Sequence, residues 1–193
     1  MDGLTVRLEV PCGREEIELL SAGQAVSLSG IVYTGRDRLH RYLFDGGEAP
    51  VSLAGAAIYH CGPVVVPAAA GGWRVTAAGP TTSMREEPYM AALIARLGLR
   101  AVIGKGGMGA ATVAACREHG CIYLQTVGGA AAWLARCVRQ VRDVWWLEEF
   151  GATEAMWALE VEGFEAIVAI DSRGHSLYAE VEAASRRRLE QLY

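Results

Sequence analysis

Residues Ala101–Val127 read AVIGKGGMGAATVAACREHGCIYLQTV. The apolar run Ala101–Ile103 ends in a glycine-rich turn, Gly104–Met108, that precedes a helical stretch from Ala110 to His119. Gly120 supplies the helix stop, and Cys121–Val127 reads as a second strand. The pattern continues downstream. Ala130–Val141 sets Leu134, Val138 and Val141 on one helical face, and Val144–Leu147 reads as a further strand. A β-α-β-α-β series predicts the α/β class, with helices packed on a parallel sheet.

Upstream, Pro88 sits as a first-turn proline, and Met90, Leu93, Ile94 and Leu97 follow helical spacing up to Gly98. The first half reads as strands and turns: Thr5–Val10 within an alternating Met1–Val10, Glu16–Leu20, Ala25–Tyr33, Ala56–Tyr59 and Pro63–Val66. One amphipathic stretch, Asp37–Phe44, interrupts them. Ala166–Ile170 and Ser176–Ala179 flank Asp171–His175 as a predicted hairpin, and residues 180–193 read as a charged C-terminal helix. Neither a repeat nor a linker is visible, so residues 1–193 are expected to form a single domain.

The bulk properties narrow the function. Hydrophobic residues make up 52% and charged residues 21%, which excludes disorder for most of the chain. A net charge of −4 gives no electrostatic footprint for nucleic acid. No apolar run reaches the roughly 18 residues needed to span a bilayer, and a soluble, cytoplasmic protein is expected. The five cysteines form no CxxC pair and read as reduced packing residues.

Of 18 basic residues, Lys105 is the single lysine, and it lies among the glycines of the Gly104–Met108 turn. An ammonium is a compact point charge, unlike the planar guanidinium fork, so this position asks for something arginine does not supply. Polar residues cluster at element boundaries around it, at Tyr33–Asp37, Tyr59–Pro63 and Gly79–Arg85. Turns that leave parallel strands gather at the carboxyl edge of a sheet, where ligands of α/β folds bind, and helix-start amides there would add anion affinity. Arg36, Arg85 and Lys105 as cations, with Thr81 and Thr82 as donors, fit a small anion bearing more than one carboxylate or phosphate. Purely structural alternatives exist for each: Arg36 paired with Asp37 or Glu48, Arg85 with Glu86 or Glu87, and Thr81 as a helix cap. His60, after an apolar strand, reads either as a core histidine or as a substrate contact. His40, His119 and His175 read as surface or turn positions. No cluster has metal-ligand spacing, and Lys105 lacks the GxxxxGK[ST] frame of a phosphate loop.

These clusters, in this order, resemble the C-terminal domain of class I (iron–sulfur) fumarate hydratases and the β subunit of L-tartrate dehydratase. The matching pieces are GRD at Gly35–Asp37 with His40 after it, IYHCGP at Ile58–Pro63, GPTTSMR at Gly79–Arg85 and GKGGM at Gly104–Met108. Tyr123–Ala132 and Glu154–Glu162 add to the likeness, which covers roughly Val26 to Asp171. The resemblance implies a swivelling β/β/α domain in which Arg36, Arg85 and Lys105 grip the carboxylates of a C4 dicarboxylate. It sets Thr81 at the reacting carbon, as a proton-transfer or positioning group, and Lys105 among the catalytic residues. It also implies a 4Fe–4S cluster held by cysteines of a separate, larger α subunit that acts as the Lewis acid. The expectation is the β subunit of a two-subunit hydro-lyase, fumarate to malate, inactive alone and a homodimer in isolation. The alternatives are an L-tartrate dehydratase β subunit, or a dicarboxylate-binding module without catalysis; a nucleotide-dependent enzyme has little support.

Overall fold

A computed structural model describes residues 5–69 and 71–192; Met1–Leu4, Ala70 and Tyr193, including the start of the alternating Met1–Val10 segment, lie outside the described residues. The strands are β1 (Val6–Val10), β2 (Ala25–Gly35), β3 (Ala57–His60), β4 (Val64–Pro67), β5 (Trp73–Ala77), β6 (Ala101–Gly104), β7 (Ile122–Gln125), β8 (Val138–Trp145) and β9 (Met156–Ile170). The helices are α1 (Arg14–Glu18), α2 (Asp37–Phe44), α3 (Glu87–Leu97), α4 (Ala110–His119), α5 (Ala131–Ala135), α6 (Leu147–Phe150) and α7 (Leu177–Glu190). Strands β1, β2, β3, β6 and β7 run parallel in that order. Antiparallel β9 borders β7 and β8 and also lies along β2, so β2, β3, β6, β7 and β9 form a closed circuit. The β4–β5 ribbon is a separate antiparallel pair.

Strands β3 and β6, and β7 as far as Leu124, are buried on both faces and are almost wholly apolar for that reason. Ala57, Tyr59, Ala101, Ile103, Ile122 and Leu124 belong to one core, together with Trp157, Leu159 and Phe164 of β9. The alternate residues Ile58, Val102 and Tyr123 belong to a second core, shared with Leu39 and Leu43 of α2, Leu93 and Ile94 of α3, and Cys116 of α4. This accounts for two helices that the sequence locates well. Gly98 and Gly120 close α3 and α4 in left-handed conformations, at φ 67° and 66°.

The α/β class stands, and four local expectations need correction. Glu16–Leu20 is not a strand. Ile17 and Leu20 are buried while Leu19 is 79% exposed, which is helical spacing, and α1 takes the acidic first turn Glu15–Glu16. The helix expected over Ala130–Val141 ends at Ala135, and Val138 begins β8. Irregular pairing of β8 with β9 between Val138 and Gln140, and again between Val141 and Asp143, turns Val138, Val141 and Val144 to the same core. Bulges thus give this strand a period of three that imitates a helix. The strand expected over Val144–Leu147 stops at Trp145, and Leu147 opens α6. Finally, Ser176–Ala179 is not the second arm of a hairpin. Ser176 bridges Ile170 and caps α7, accepting from the Ala179 amide at 3.4 Å. Of β9, only its last residues are legible in advance, because Glu160, Glu162, Gly163 and Glu165 interrupt the apolar run.

Among the described residues no helix is long and apolar enough to cross a membrane. Gly30 sits at φ +106° where β2 passes Val10, and a Cβ there would lie 1.9 Å from the Val10 carbonyl oxygen. Gly30→Ala should therefore destabilise the chain by about 2–4 kcal/mol. Urea unfolding checks this, and wild-type stability in the variant would contradict the close approach.

Candidate active site

Because the strands are parallel, β2, β3, β6 and β7 deliver Gly35, His60, Gly104 and Gln125 to one rim of the circuit. The segment Pro80–Ser83 is laid across this rim by main-chain hydrogen bonds. The Thr81 amide donates to the His60 carbonyl at 2.7 Å, and the Ser83 amide to the Lys105 carbonyl at 2.9 Å. Cys61 bridges Pro80, and Thr82 bridges Lys105. The polar clusters separated in sequence thus become neighbours. Gly104 permits the close approach, since a Cβ there would meet Ser83 Oγ at 1.9 Å.

Two of the predicted cations meet at one carboxylate. Arg85 Nη2 lies 2.7 Å from Asp37 Oδ2, and Arg36 Nη2 lies 3.9 Å from the same oxygen. Arg36 Nε is also 3.5 Å from Glu154 Oε1. Glu48 is not a partner of Arg36 in any ion pair among the described residues, nor do Glu86 or Glu87 pair with Arg85. Glu87 has another task. It accepts from the Gly109, Ala111 and Thr112 amides and from the Thr112 hydroxyl at 2.6–3.2 Å, capping α4. Glu154 likewise accepts from the Arg38 amide at 3.0 Å, at the start of α2. At α2 and α4, helix-start amides expected to attract an anion are thus already engaged by the chain's own carboxylates.

Thr81 is half-buried, and its hydroxyl donates to the His60 carbonyl at 3.0 Å. Lys105 is half-buried and engages in no ion pair or side-chain hydrogen bond among the described residues. Its side chain lines a cleft of about 630 Å³ with Gln125, Thr126, Gly128, Trp133 and Glu165. Arg36, Thr81 and Arg85 lie outside that cleft and connect to Lys105 through the Thr81–Ser83 main chain. The larger cleft, about 1200 Å³ beside α4 and α7, takes none of the predicted site residues.

Beneath the arginines lies a buried polar cluster. His60 Nδ1 is 2.8 Å from Ser83 Oγ, which also accepts from the Tyr123 hydroxyl at 2.9 Å. The His60 ring is thus a core side chain, and what it presents at the rim is its carbonyl. His40 is not the surface residue expected: it is fully buried, with its ring 5.0 Å from that of His60. Its Nδ1 stands 2.8 Å from the Arg36 carbonyl, which can only accept, so Nδ1 carries the proton. Glu86 Oε2 lies 3.4 Å from that same Nδ1. The contact is not an ion pair at neutral pH. Burial drives His40 down to about 4, and burial first, then the charges of Asp37 and Glu154, drive Glu86 up to about 8. Burial, with His40 beside it, holds His60 well below the usual histidine range. Sequence reasoning missed Glu86, Glu154 and Ser83.

Comparison with known proteins decides the family. The match to the family described as Fumarase C-terminus runs over residues 2–181. The chain belongs to that family. It is 50% identical over 186 residues to a Geobacillus stearothermophilus protein that bears the name fumarate hydratase class I, covering 96% of this chain and 36% of that one. It is 35% identical over 175 residues to the L(+)-tartrate dehydratase subunit beta of Escherichia coli K12, covering 90% of this chain and 86% of that one. A Methanocaldococcus jannaschii protein named for the same β subunit is also 35% identical, over 184 residues, with 93% and 94% covered. The chain therefore spans about a third of the Geobacillus relative and most of the two β subunits.

The buried cluster sets a pH dependence of stability. From about pH 4.5 to about 8, folded Glu86 keeps a proton that the unfolded chain has released, so stability falls as pH rises through that window. Below about pH 6.5 the unfolded chain protonates His40 and His60 while the folded chain refuses, so stability also falls with acid. These groups together give a maximum near about pH 6.5, with slopes of about 1.4 kcal/mol per pH unit per proton. Glu86→Gln should remove the alkaline slope in urea titrations at several pH values; a wild type equally stable at pH 6.5 and 8 would contradict the assignment.

Proposed function

We propose that this chain is the β subunit of a two-subunit iron–sulfur hydro-lyase that reversibly hydrates a C4 dicarboxylate, with fumarate and malate as the first pair to test. The observation that supports this reading is the stitched rim, where Arg36 and Arg85 converge on one carboxylate and Thr81 and Lys105 follow through adjoining main chain. The likeness to relatives named for fumarate hydratase and tartrate dehydratase, over 96% and 90% of this chain, also supports it. Tartrate is the second reading, favoured by the near-complete coverage of β subunits named for it.

The 4Fe–4S cluster does not fit this chain. Among the described residues no group of three or more His, Cys, Asp and Glu could hold a metal ion, and Cys61, Cys116 and Cys121 are buried apolar-core residues. The reading therefore assigns the cluster to a separate α subunit. Cysteines that are all free suit a reducing, cytoplasmic setting.

What this chain contributes is binding and orientation. A substrate carboxylate takes the place of the Asp37 carboxylate between Arg36 and Arg85, where guanidinium forks offer paired hydrogen bonds. Lys105, which engages in no ion pair among the described residues, meets the second carboxylate. Thr81 gives its own proton to a carbonyl that cannot release one in return, so its lone pairs are left to orient the substrate. Positioning of this kind holds the reacting carbon in one attitude and shortens the search for the transition state.

Lys105→Ala and Arg85→Ala, each assembled with the partner, should lose about 1.5–3 kcal/mol of charged hydrogen bonding, roughly ten- to a hundredfold in kcat/KM. Lys105→Arg should remain poor, because the fork does not replace a point charge. Wild-type kinetics in both alanine variants would remove these residues from the site.

A further inference from the structure

Glu86 follows Arg85 directly, yet the two face opposite ways: the Arg85 side chain is 57% exposed and that of Glu86 1%. Asp37 draws both arginines while Glu86, beneath them, draws neither, and its Oε2 has no hydrogen-bond partner among the described residues. The groups facing it are Asp37 and His40 of α2, Arg36 at the head of α2, Arg85 of its own turn, and Glu154 from the segment before β9. His60 of β3 lies behind His40. The proton on His40 Nδ1 is directed to the Arg36 carbonyl at 2.8 Å, with Glu86 Oε2 farther away at 3.4 Å. An ionised Glu86 would thus be a buried charge without a donor, whereas the neutral acid is tolerated.

We propose that Glu86 is a positioning residue of the anion site: held as a neutral acid beneath Arg36 and Arg85, it leaves their positive charge to the bound carboxylate, and its ionisation weakens carboxylate binding. The inference rests on the dicarboxylate reading above. Its physical content is linkage. A bound dianion engages the arginines and makes a second negative charge beneath them more costly, so the ligand favours protonated Glu86, and protonated Glu86 favours the ligand by the same factor. The upward shift of the acid, with burial as its largest cause and Asp37 and Glu154 adding to it, agrees with that arrangement. His40 ties the device to the site, since the ring that touches Glu86 also holds the main chain of Arg36.

The test is KM for L-malate in the complex with the cluster-bearing partner, from about pH 6.5 to about pH 9, for wild type and Glu86→Gln. Wild-type KM should rise about three- to tenfold across that range, while the variant, with a permanently neutral isostere, stays flat relative to its own neutral-pH value. Superimposable profiles overturn the proposal, because groups other than Glu86 titrate equally in both. Should Glu86→Gln fail to fold, carbon-13 titration of the glutamate carboxyls in the wild-type chain decides, with Glu86 assigned by its contact with the His40 ring. A midpoint on the alkaline side that L-malate moves upward supports the device; an ordinary carboxylate midpoint, or one that L-malate leaves in place, overturns it. A complex with an intact cluster that turns over neither L-malate nor L-tartrate defeats the hydro-lyase reading instead, and the carboxyl titration still judges Glu86.

Discussion

The antiparallel pairing of β2 with β9, from Ala25 opposite Ile167 to Tyr33 opposite Ala158, closes the sheet, and the site inherits its geometry from that closure. Because β9 enters where β2 ends, Glu154 arrives beside Arg36 and at the start of α2. Buried Thr34 fastens the junction: its hydroxyl donates to the Ala155 carbonyl at 3.3 Å and accepts from the Trp157 amide at 3.1 Å. On its other edge, β2 holds β1 and then β3 end to end, so one long strand registers both halves of the chain. A shift of one residue in the β2–β9 register would turn Leu28 and Leu159 out of the core, which is why such a strand pair is strongly specified.

Charge at the rim is organised in layers. Outermost, Arg36 and Arg85 are paired with Asp37 and Glu154. Below them His40, His60 and Glu86 are all neutral near pH 7, because desolvation outweighs any pairing available to them. The ammonium of Lys105 stands apart from this exchange, on the far side of Thr82. A dicarboxylate that bridges the two regions would meet charges that are already positioned, with exchange of carboxylate for carboxylate at the arginines and direct pairing at the lysine.

Much of this was legible in the sequence, and the misses share a cause. Helices α3 and α4 could be located because proline, glycine stops and apolar spacing all agree. Arg36, Thr81, Arg85 and Lys105 could be singled out as candidates because each sits in a polar cluster at an element boundary. The β8 segment could not, since bulges against β9 give valines a helical period. The burial of His40 and Glu86 was equally hidden. Each sits in a polar stretch of sequence, and only the crossing of Pro80–Ser83 over the rim brings them together. Local pattern fixes elements, whereas a buried polar pair is a product of the tertiary fold.

We propose that this chain supplies half of a dicarboxylate site that a cluster-bearing partner completes. The most direct test is an anaerobic hydration assay with fumarate, using this chain, its partner with an intact cluster, and the two combined. Turnover is expected in the mixture and in neither component alone. A partner that hydrates fumarate at the same rate with or without this chain, or a mixture inert towards both fumarate and tartrate, would contradict it.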